Sequence, residues 1–168
     1  YFTGTSVRSG RIAYNRVDGT GAAKPITFRN ADDFNFIGNY FNINSNNALW
    51  LTAEIADGNV TPGAMKTKIM DNYFTGGSAA LYAILSRAYS VDVTITGNTV
   101  NANYGVYISC LEGCTENRNL TITGNDFTGN TQDIYLVGAF PYLPDLVTIK
   151  NNKLNNGTVK NEWTSSSA

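Results

Sequence analysis

Three charged residues stand at comparable points of the chain and could carry acid–base chemistry. Glu54, Arg87 and Glu112 each follow a short apolar segment. If those segments stack as strands, the two carboxylates lie two strand spacings apart, roughly 10 Å, with the guanidinium between them. That is close to the ~6.5–9.5 Å of inverting glycoside hydrolysis. Arg87 would then hold a substrate carboxylate or act as the base of an elimination. The competing interpretation is three solvated loop charges.

A second set of residues is aromatic and occupies the middle of those apolar segments. Aliphatic neighbours that point inward leave the middle residue pointing outward. We therefore predict one exposed row made of Thr27, Trp50, Tyr82, Tyr107 and Tyr135. Sugar rings stack on such rings, and Tyr and Trp keep a polar group for hydroxyls. A subunit interface and a stacking ladder that only stiffens the sheet remain open alternatives.

A neighbouring row is predicted beside the aromatic one. Its members are Arg29, Thr52, Ile84, Ser109 and Val137. Exposed Ile84 and Val137 would favour burial against a partner chain.

These elements belong to a repeat that is marked by asparagine. The residues are Asn15, Asn39, Asn72, Asn98, Asn125 and Asn152, at steps of 24, 33, 26, 27 and 27. In the clearest copies, such as the segment 120–129, apolar residues alternate with threonine before the Asn, and an apolar residue stands two positions after it. A period in the twenties is typical of a stacked-repeat solenoid.

A parallel coil needs one inward residue at each matching site of every turn. Three residues before each Asn stand Ile12, Phe36, Ile69, Ile95, Ile122 and Ile149. Two residues after it stand Val17, Phe41, Phe74, Val100, Phe127 and Leu154. We expect two apolar ladders in one core. We also expect stacked asparagines whose amides bond along the stack, in a turn whose left-handed backbone Asn tolerates.

The repeat resembles the right-handed parallel β-helix of the pectate-lyase-like superfamily over about residues 10–157. The copies 93–100, 120–129 and 147–154 carry the likeness. The resemblance implies an all-β, single-stranded right-handed parallel β-helix of about six coils. The superfamily includes polysaccharide lyases, glycosidases, epimerases and phage tailspike depolymerases, and the chain looks most like a tailspike segment.

That resemblance sets the expected organisation of the chain. Residues 1–168 would form one domain with a polar tail at 158–168. Because Tyr1-Phe2-Thr3-Gly4 repeats the letters of residues 73–76, we expect a fragment that begins inside a repeat. A tailspike segment would sit outside the cell or on a virion, with a homotrimer as one arrangement.

Composition narrows the classes of function. A net charge of −1 argues against nucleic-acid binding, which needs a basic face. The chain has no histidine, the commonest zinc ligand, which argues against a zinc site. No apolar run is long enough to span a bilayer. We predict no metal and no cofactor, since no segment matches the Asp cluster of calcium-dependent pectate lyases. Cys110 and Cys114 are equally consistent with a loop disulfide and with two free thiols.

The sequence therefore predicts recognition, with or without cleavage, of bacterial surface polysaccharide. The main alternative is a structural or adhesive β-helix without catalysis. A minor alternative is ice binding, because outward threonines are predicted in ranks, namely Thr94, Thr121 and Thr148, with Thr96 and Thr123 beside them. Weaker catalytic candidates are Asp57, Glu116 and Asp133.

Overall fold

The computed structural model describes residues 2–5, 8–19, 26–43, 48–52, 55–56, 59–60, 64–76, 82–86, 90–110, 118–140, 145–155 and 159–165. Across these residues every regular element is a strand. In chain order the strands are β1 (Phe2–Thr5), β2 (Arg8–Ala13), β3 (Arg16–Gly19), β4 (Ile26–Arg29), β5 (Ala31–Ile37), β6 (Tyr40–Ile43), β7 (Leu49–Thr52), β8 (Ile55–Ala56), β9 (Asn59–Val60), β10 (Ala64–Met65), β11 (Lys68–Met70), β12 (Tyr73–Thr75), β13 (Tyr82–Ser86), β14 (Ser90–Thr96), β15 (Thr99–Asn101), β16 (Tyr104–Cys110), β17 (Arg118–Thr123), β18 (Asp126–Phe127), β19 (Gln132–Phe140), β20 (Asp145–Lys150) and β21 (Val159–Ser165).

The strands stack into three parallel sheets. Sheet A has the order β1, β4, β7, β13, β16, β19, β21; sheet B contains β2, β5, β10, β11, β14, β17 and β20; sheet C contains β3, β6, β12, β15 and β18. The chain passes from sheet B to sheet C to sheet A and then starts the next turn. This confirms the predicted parallel β-helix, a β-solenoid, while its handedness and its number of about six coils stay predictions. Strands β8 and β9 lie between β7 and β10 in the chain and pair with each other in antiparallel orientation.

Both predicted apolar ladders form the core. Sheet B aligns Ile12, Phe36, Ile69, Ile95, Ile122 and Ile149. Sheet C aligns Val17, Phe41, Phe74, Val100 and Phe127, and Leu154 packs against the same core. The rings of Phe41 and Phe74 stack with centroids 4.7 Å apart and planes 4° apart. One inward residue per strand thus meets its equivalent one turn away.

A corner between sheets B and C holds the asparagines. The residue before each Asn has a positive φ, and these residues are Tyr14, Gly38, Asp71, Gly97, Gly124 and Asn151. The sequence analysis expected the repeat Asn itself in the left-handed conformation, and that expectation is wrong. The preceding residue makes the turn, which explains why glycine recurs there.

The asparagine side chains form a continuous hydrogen-bonded ladder. Asn72 Nδ2 donates to Asn98 Oδ1 at 3.0 Å and to the carbonyl oxygen of Phe36 at 2.9 Å. Asn72 Oδ1 accepts from the backbone N–H and the Nδ2 of Asn39, both at 2.9 Å. The bonds from each Asn to the next recur from Asn15 to Asn152. Asn72 is 1% exposed, so its amide is satisfied entirely by the two adjacent turns.

A second corner lies inside sheet B and was not predicted. Its left-handed residues occupy equivalent places on successive strands, namely Ser9, Asp33, Lys66, Asp92 and Asn119. Ser9 Oγ donates to Asp33 Oδ2, and Asn119 Nδ2 donates to Asp92 Oδ1. Exposed polar pairs therefore link neighbouring turns along this corner.

Part of the predicted polar tail is a strand. Val159–Ser165 pairs in parallel with β19, so sheet A continues into the segment predicted as tail. This strand brings Lys160 and Glu162 beside Tyr135 and Val137.

We predict that Asn98→Ala lowers the free energy of unfolding by roughly 3 kcal/mol. The substitution leaves the buried N–H and Nδ2 of Asn72 without their acceptor, and each such loss costs about 1–3 kcal/mol. Urea denaturation measures the change.

The matched control is Asn15→Ala, at the exposed first position of the ladder. Its loss should stay below about 1 kcal/mol, since water replaces the missing bonds. Equal losses for both variants would contradict a ladder that depends on burial.

Candidate carbohydrate-binding surface

The outer face of sheet A carries the predicted aromatic row in modified form. Pairing registers align Thr3, Thr27, Trp50, Leu85, Tyr107, Tyr135 and Lys160. Trp50, Tyr107 and Tyr135 are half-buried on this face. Three of the four predicted substrate-binding residues therefore lie in one row.

Tyr82 is not in the row, and its predicted place there is wrong. Tyr82 pairs with Tyr104, and Leu85 occupies the position between Trp50 and Tyr107. The cause is the core, because Ile84 stacks between Leu49 and Val106 and is only 1% exposed. A register with Tyr82 outward would put Ile84 into solvent and forgo about 1.5–3 kcal/mol of apolar burial.

The neighbouring predicted row is corrected at the same position. Arg29 pairs with Thr52, and Ser109 pairs with Val137, as expected, but Ser109 is buried, with 0% exposure, and adds nothing to an outward row. Ile84 belongs to the core instead, so it offers no exposed apolar surface to a partner chain. Glu162 extends this row beyond Val137.

Tyr135 has an ordered neighbour on each side along the row. Lys160 Nζ lies over the Tyr135 ring, 4.7 Å from its centroid. The Tyr107 ring is 5.1 Å away at an interplanar angle of 88°, an edge-to-face contact. Since a cation and a perpendicular ring flank Tyr135, the row is not the flat four-ring strip that was predicted.

A small polar cluster surrounds the Tyr135 hydroxyl. The hydroxyl donates to Glu162 Oε2, and Lys160 Nζ pairs with Glu162 Oε1. The bond from Lys160 holds the pKa of the Glu162 carboxyl below its ordinary value, with the Tyr135 hydroxyl adding to the effect. The bond to that carboxylate raises the pKa of Tyr135 above 10.0. At neutral pH the cluster is therefore a neutral phenol, a carboxylate and an ammonium.

The predicted catalytic residues are not located by the structure. Glu54, Arg87 and Glu112 lie outside the described residues, as do Asp57, Glu116 and Cys114. Asp133 lies in β19 and is fully buried, with 0% exposure. Within the described ranges no cluster of three or more Cys, Asp and Glu side chains is arranged to hold a metal ion.

An exposed aromatic group on sheet C was missed by the sequence analysis. The Tyr40 and Tyr73 rings stack with centroids 5.3 Å apart and planes 2° apart. The Arg16 guanidinium lies over Tyr40 at 4.8 Å, and its Nε donates to Asp18 Oδ2 at 2.7 Å. The signal was present, because these residues immediately follow the repeat asparagines, whereas only the second position after Asn was analysed.

The threonine ranks of sheet B have the predicted alignment. Thr94, Thr121 and Thr148 align, and Thr96 aligns with Thr123. On the adjacent strands the positions aligned with these threonines hold other residues, namely Asn35, Lys68, Met70 and Lys150. Larger and charged side chains thus limit the regular threonine surface, and ice binding stays a minor alternative.

Comparison with known proteins found no match, so the chain is classified by its fold. No protein-family model, curated protein or solved structure matches this chain. Among the described residues no helix is long and apolar enough to cross a membrane. The chain is thus defined as a parallel β-solenoid with an aromatic row on sheet A.

We predict that Glu162→Gln lowers the pKa of Tyr135 and that Lys160→Met raises it. The carboxylate accepts a bond that exists only while the phenol is protonated, whereas the ammonium favours the phenolate. Ring-carbon NMR of tyrosine during an alkaline titration measures both shifts.

The same bond has a defined effect on stability. Folding raises the pKa of Tyr135, so the bond stabilises the folded state only while the phenol is protonated. Its contribution to the free energy of unfolding is complete below the unfolded pKa near 10 and is lost as pH rises through the folded pKa. Identical titration of Tyr135 in both variants and in the unmodified chain would contradict the cluster.

Proposed function

We propose that this chain binds bacterial surface polysaccharide along the outer face of sheet A. The observation that carries the proposal is the alignment of Trp50, Tyr107 and Tyr135 in one outward row. Aromatic rings supply apolar contact to the C–H faces of sugars, and the Tyr hydroxyls supply hydrogen bonds.

The scaffold suits a ligand that is long and repetitive. Neighbouring strands are about 4.8 Å apart, so Trp50 and Tyr107, on either side of Leu85, lie roughly 10 Å apart along the axis. Strands β7 and β16 both pair on two sides within sheet A. Side chains on such paired strands are ordered before binding, which reduces the entropy lost on association.

Polar groups on β21, at the Tyr135 end of the aromatic row, would define the orientation of the glycan. Lys160 and Glu162 add a donor and an acceptor beside Tyr135, and both remain partly exposed. A sugar with several hydroxyls can bond to each, since a carboxylate offers about four lone-pair sites.

We also propose that the chain cleaves the bound polysaccharide. Glu54, Arg87 and Glu112 remain the proposed catalytic groups, for hydrolysis or for β-elimination, on the sequence argument alone. The repeat resembles that of tailspike depolymerases, and on that resemblance we propose a tailspike-like segment at a virion or cell surface, with a homotrimer as its assembly.

A non-catalytic structural or adhesive β-helix is the second candidate. The contacts of Tyr135 favour it, because Lys160 and Tyr107 already engage this ring. An aromatic row that is satisfied by its own neighbours stiffens a sheet without any ligand.

We predict that Trp50→Ala weakens glycan binding by about tenfold, the equivalent of ~1.4 kcal/mol for one lost stacking contact. The measurement is binding to a panel of purified capsular polysaccharides and O-antigens, with product analysis for cleavage. Thr121→Ala, on the outer face of sheet B, is the matched control and should bind as the unmodified chain does.

Equal binding by the Trp50→Ala variant would contradict the proposed surface. A chain that bound no glycan of the panel would support the structural candidate instead. Cleavage that survives in the Glu54→Gln and Glu112→Gln variants would remove those residues from the proposed mechanism.

A further inference from the structure

On sheet C a stack of side chains, Arg16, Tyr40 and Tyr73, is followed by the small residue Thr99. We call the space above Thr99, beside the Tyr73 ring, the step. The residues that directly follow the repeat asparagines align in one row, in the order Arg16, Tyr40, Tyr73, Thr99, Asp126 and Lys153. The Tyr40 ring stacks on one side of the Tyr73 ring, and the Arg16 guanidinium lies over Tyr40. On the other side the next residue is Thr99, whose side chain is much smaller than a ring.

The dimensions of this step fit one ring. Successive strands are about 4.8 Å apart, so the Tyr73 and Asp126 positions are separated by roughly 9.6 Å with Thr99 between them. Stacked rings have centroids ~4.5–7 Å apart, which places one additional ring at the level of Thr99. Tyr73 is 41% exposed, one of the few large apolar side chains open to solvent among the described residues.

The walls of the step are polar. Asp126 Oδ2 accepts from Lys153 Nζ at 3.0 Å, and Asp126 Oδ1 accepts from Thr128 Oγ1 at 2.8 Å. These two bonds leave acceptor capacity on the carboxylate, and Lys153 has donors to spare. The bond from Lys153 lowers the pKa of Asp126, so the carboxyl is ionised at neutral pH.

We propose that this step is a second glycan-binding position, which takes one pyranose ring on the Tyr73 face above Thr99. The apolar face of the sugar would continue the Arg16–Tyr40–Tyr73 stack. Its hydroxyls would donate to Asp126 and accept from Lys153. The class of ligand rests on the proposed function, whereas the residues and the sheet are different.

The surrounding chemistry favours a neutral sugar over an aromatic or charged ligand. An aromatic ring would leave the carboxylate and the ammonium without new bonds. A strongly charged ligand would meet a matched pair of opposite charges, Asp126 and Lys153, which offers no net attraction. A neutral ring with hydroxyls around its edge satisfies both the stack and the walls.

The test is an NMR titration of the full chain with methyl glycosides of glucose, galactose and N-acetylglucosamine. The signals followed are the tyrosine rings and the Trp50 indole, assigned with the Tyr73→Ala and Trp50→Ala variants. Thr99→Tyr fills the step with a ring from the chain itself, and Thr99→Ser is its matched control, which keeps the step open.

We expect saturable shifts of the Tyr73 ring in the unmodified chain and in Thr99→Ser. Affinity at this ring should fall at least tenfold in Thr99→Tyr and stay unchanged in Trp50→Ala. A cooperative unfolding transition in Thr99→Tyr shows that the variant is folded, as a β-favouring residue on an outer face should be.

Each other result decides a defined part of the account. Shifts at Trp50 with a silent Tyr73 ring would overturn the sheet C position and leave the proposed function standing. Shifts at Tyr73 with a silent Trp50 would support the new position and show that it binds a single sugar independently of the sheet A surface. Silence at both, or full binding by Thr99→Tyr, would overturn the proposal made here.

Discussion

The hydrogen bond from one asparagine to the next is the interaction on which the rest of the structure depends. The four inner asparagines of the ladder use the side-chain amide nitrogen twice, once toward each adjacent turn, namely Asn39, Asn72, Asn98 and Asn125. Because these amides are buried, a shift of one turn against the next would leave several donors and acceptors unsatisfied. The ladder therefore locks the register at one corner of every turn, and the adjoining strands of sheets B and C inherit it.

A locked register converts a sequence repeat into rows of side chains on the surface. A slip by one residue would exchange the inner and outer faces of a strand. Fixed pairing instead aligns residues such as Thr94 with Thr121 and Tyr40 with Tyr73. The same constraint produces two different surfaces, an edge-to-face aromatic pair beside charges on sheet A and a parallel ring stack that ends at Thr99 on sheet C.

The sequence was most informative close to the asparagines. Both apolar ladders, the threonine ranks and the Asn stack were predicted correctly, because all of them are counted from a residue that recurs at the corner. Sheet A lies farthest along the chain from that marker, at a sequence separation that varies from turn to turn. There the alignment of Tyr82 failed, since a displacement of three residues leaves an equally apolar segment and only the burial of Ile84 distinguishes the two registers.

Other features could not be inferred because their signal is spread across turns. The left-handed corner that includes Ser9, Asp33 and Lys66 has no common residue type, only a common position in the stack. Strand β21 is polar and reads as a tail until its pairing with β19 is known. The contact of Glu162 with Tyr135 depends on that pairing, so this part of the candidate site was not predictable from composition or periodicity.

Hydrogen exchange of the asparagine side-chain amides is the most direct measurement of the central claim. The account predicts slow exchange of the Nδ2 protons of Asn39, Asn72, Asn98 and Asn125, comparable to that of the neighbouring strand amides. Asn15, which is exposed, should exchange much faster. Uniformly fast exchange at all of these side chains, with protected strand amides, would contradict a ladder that fixes the register of the solenoid.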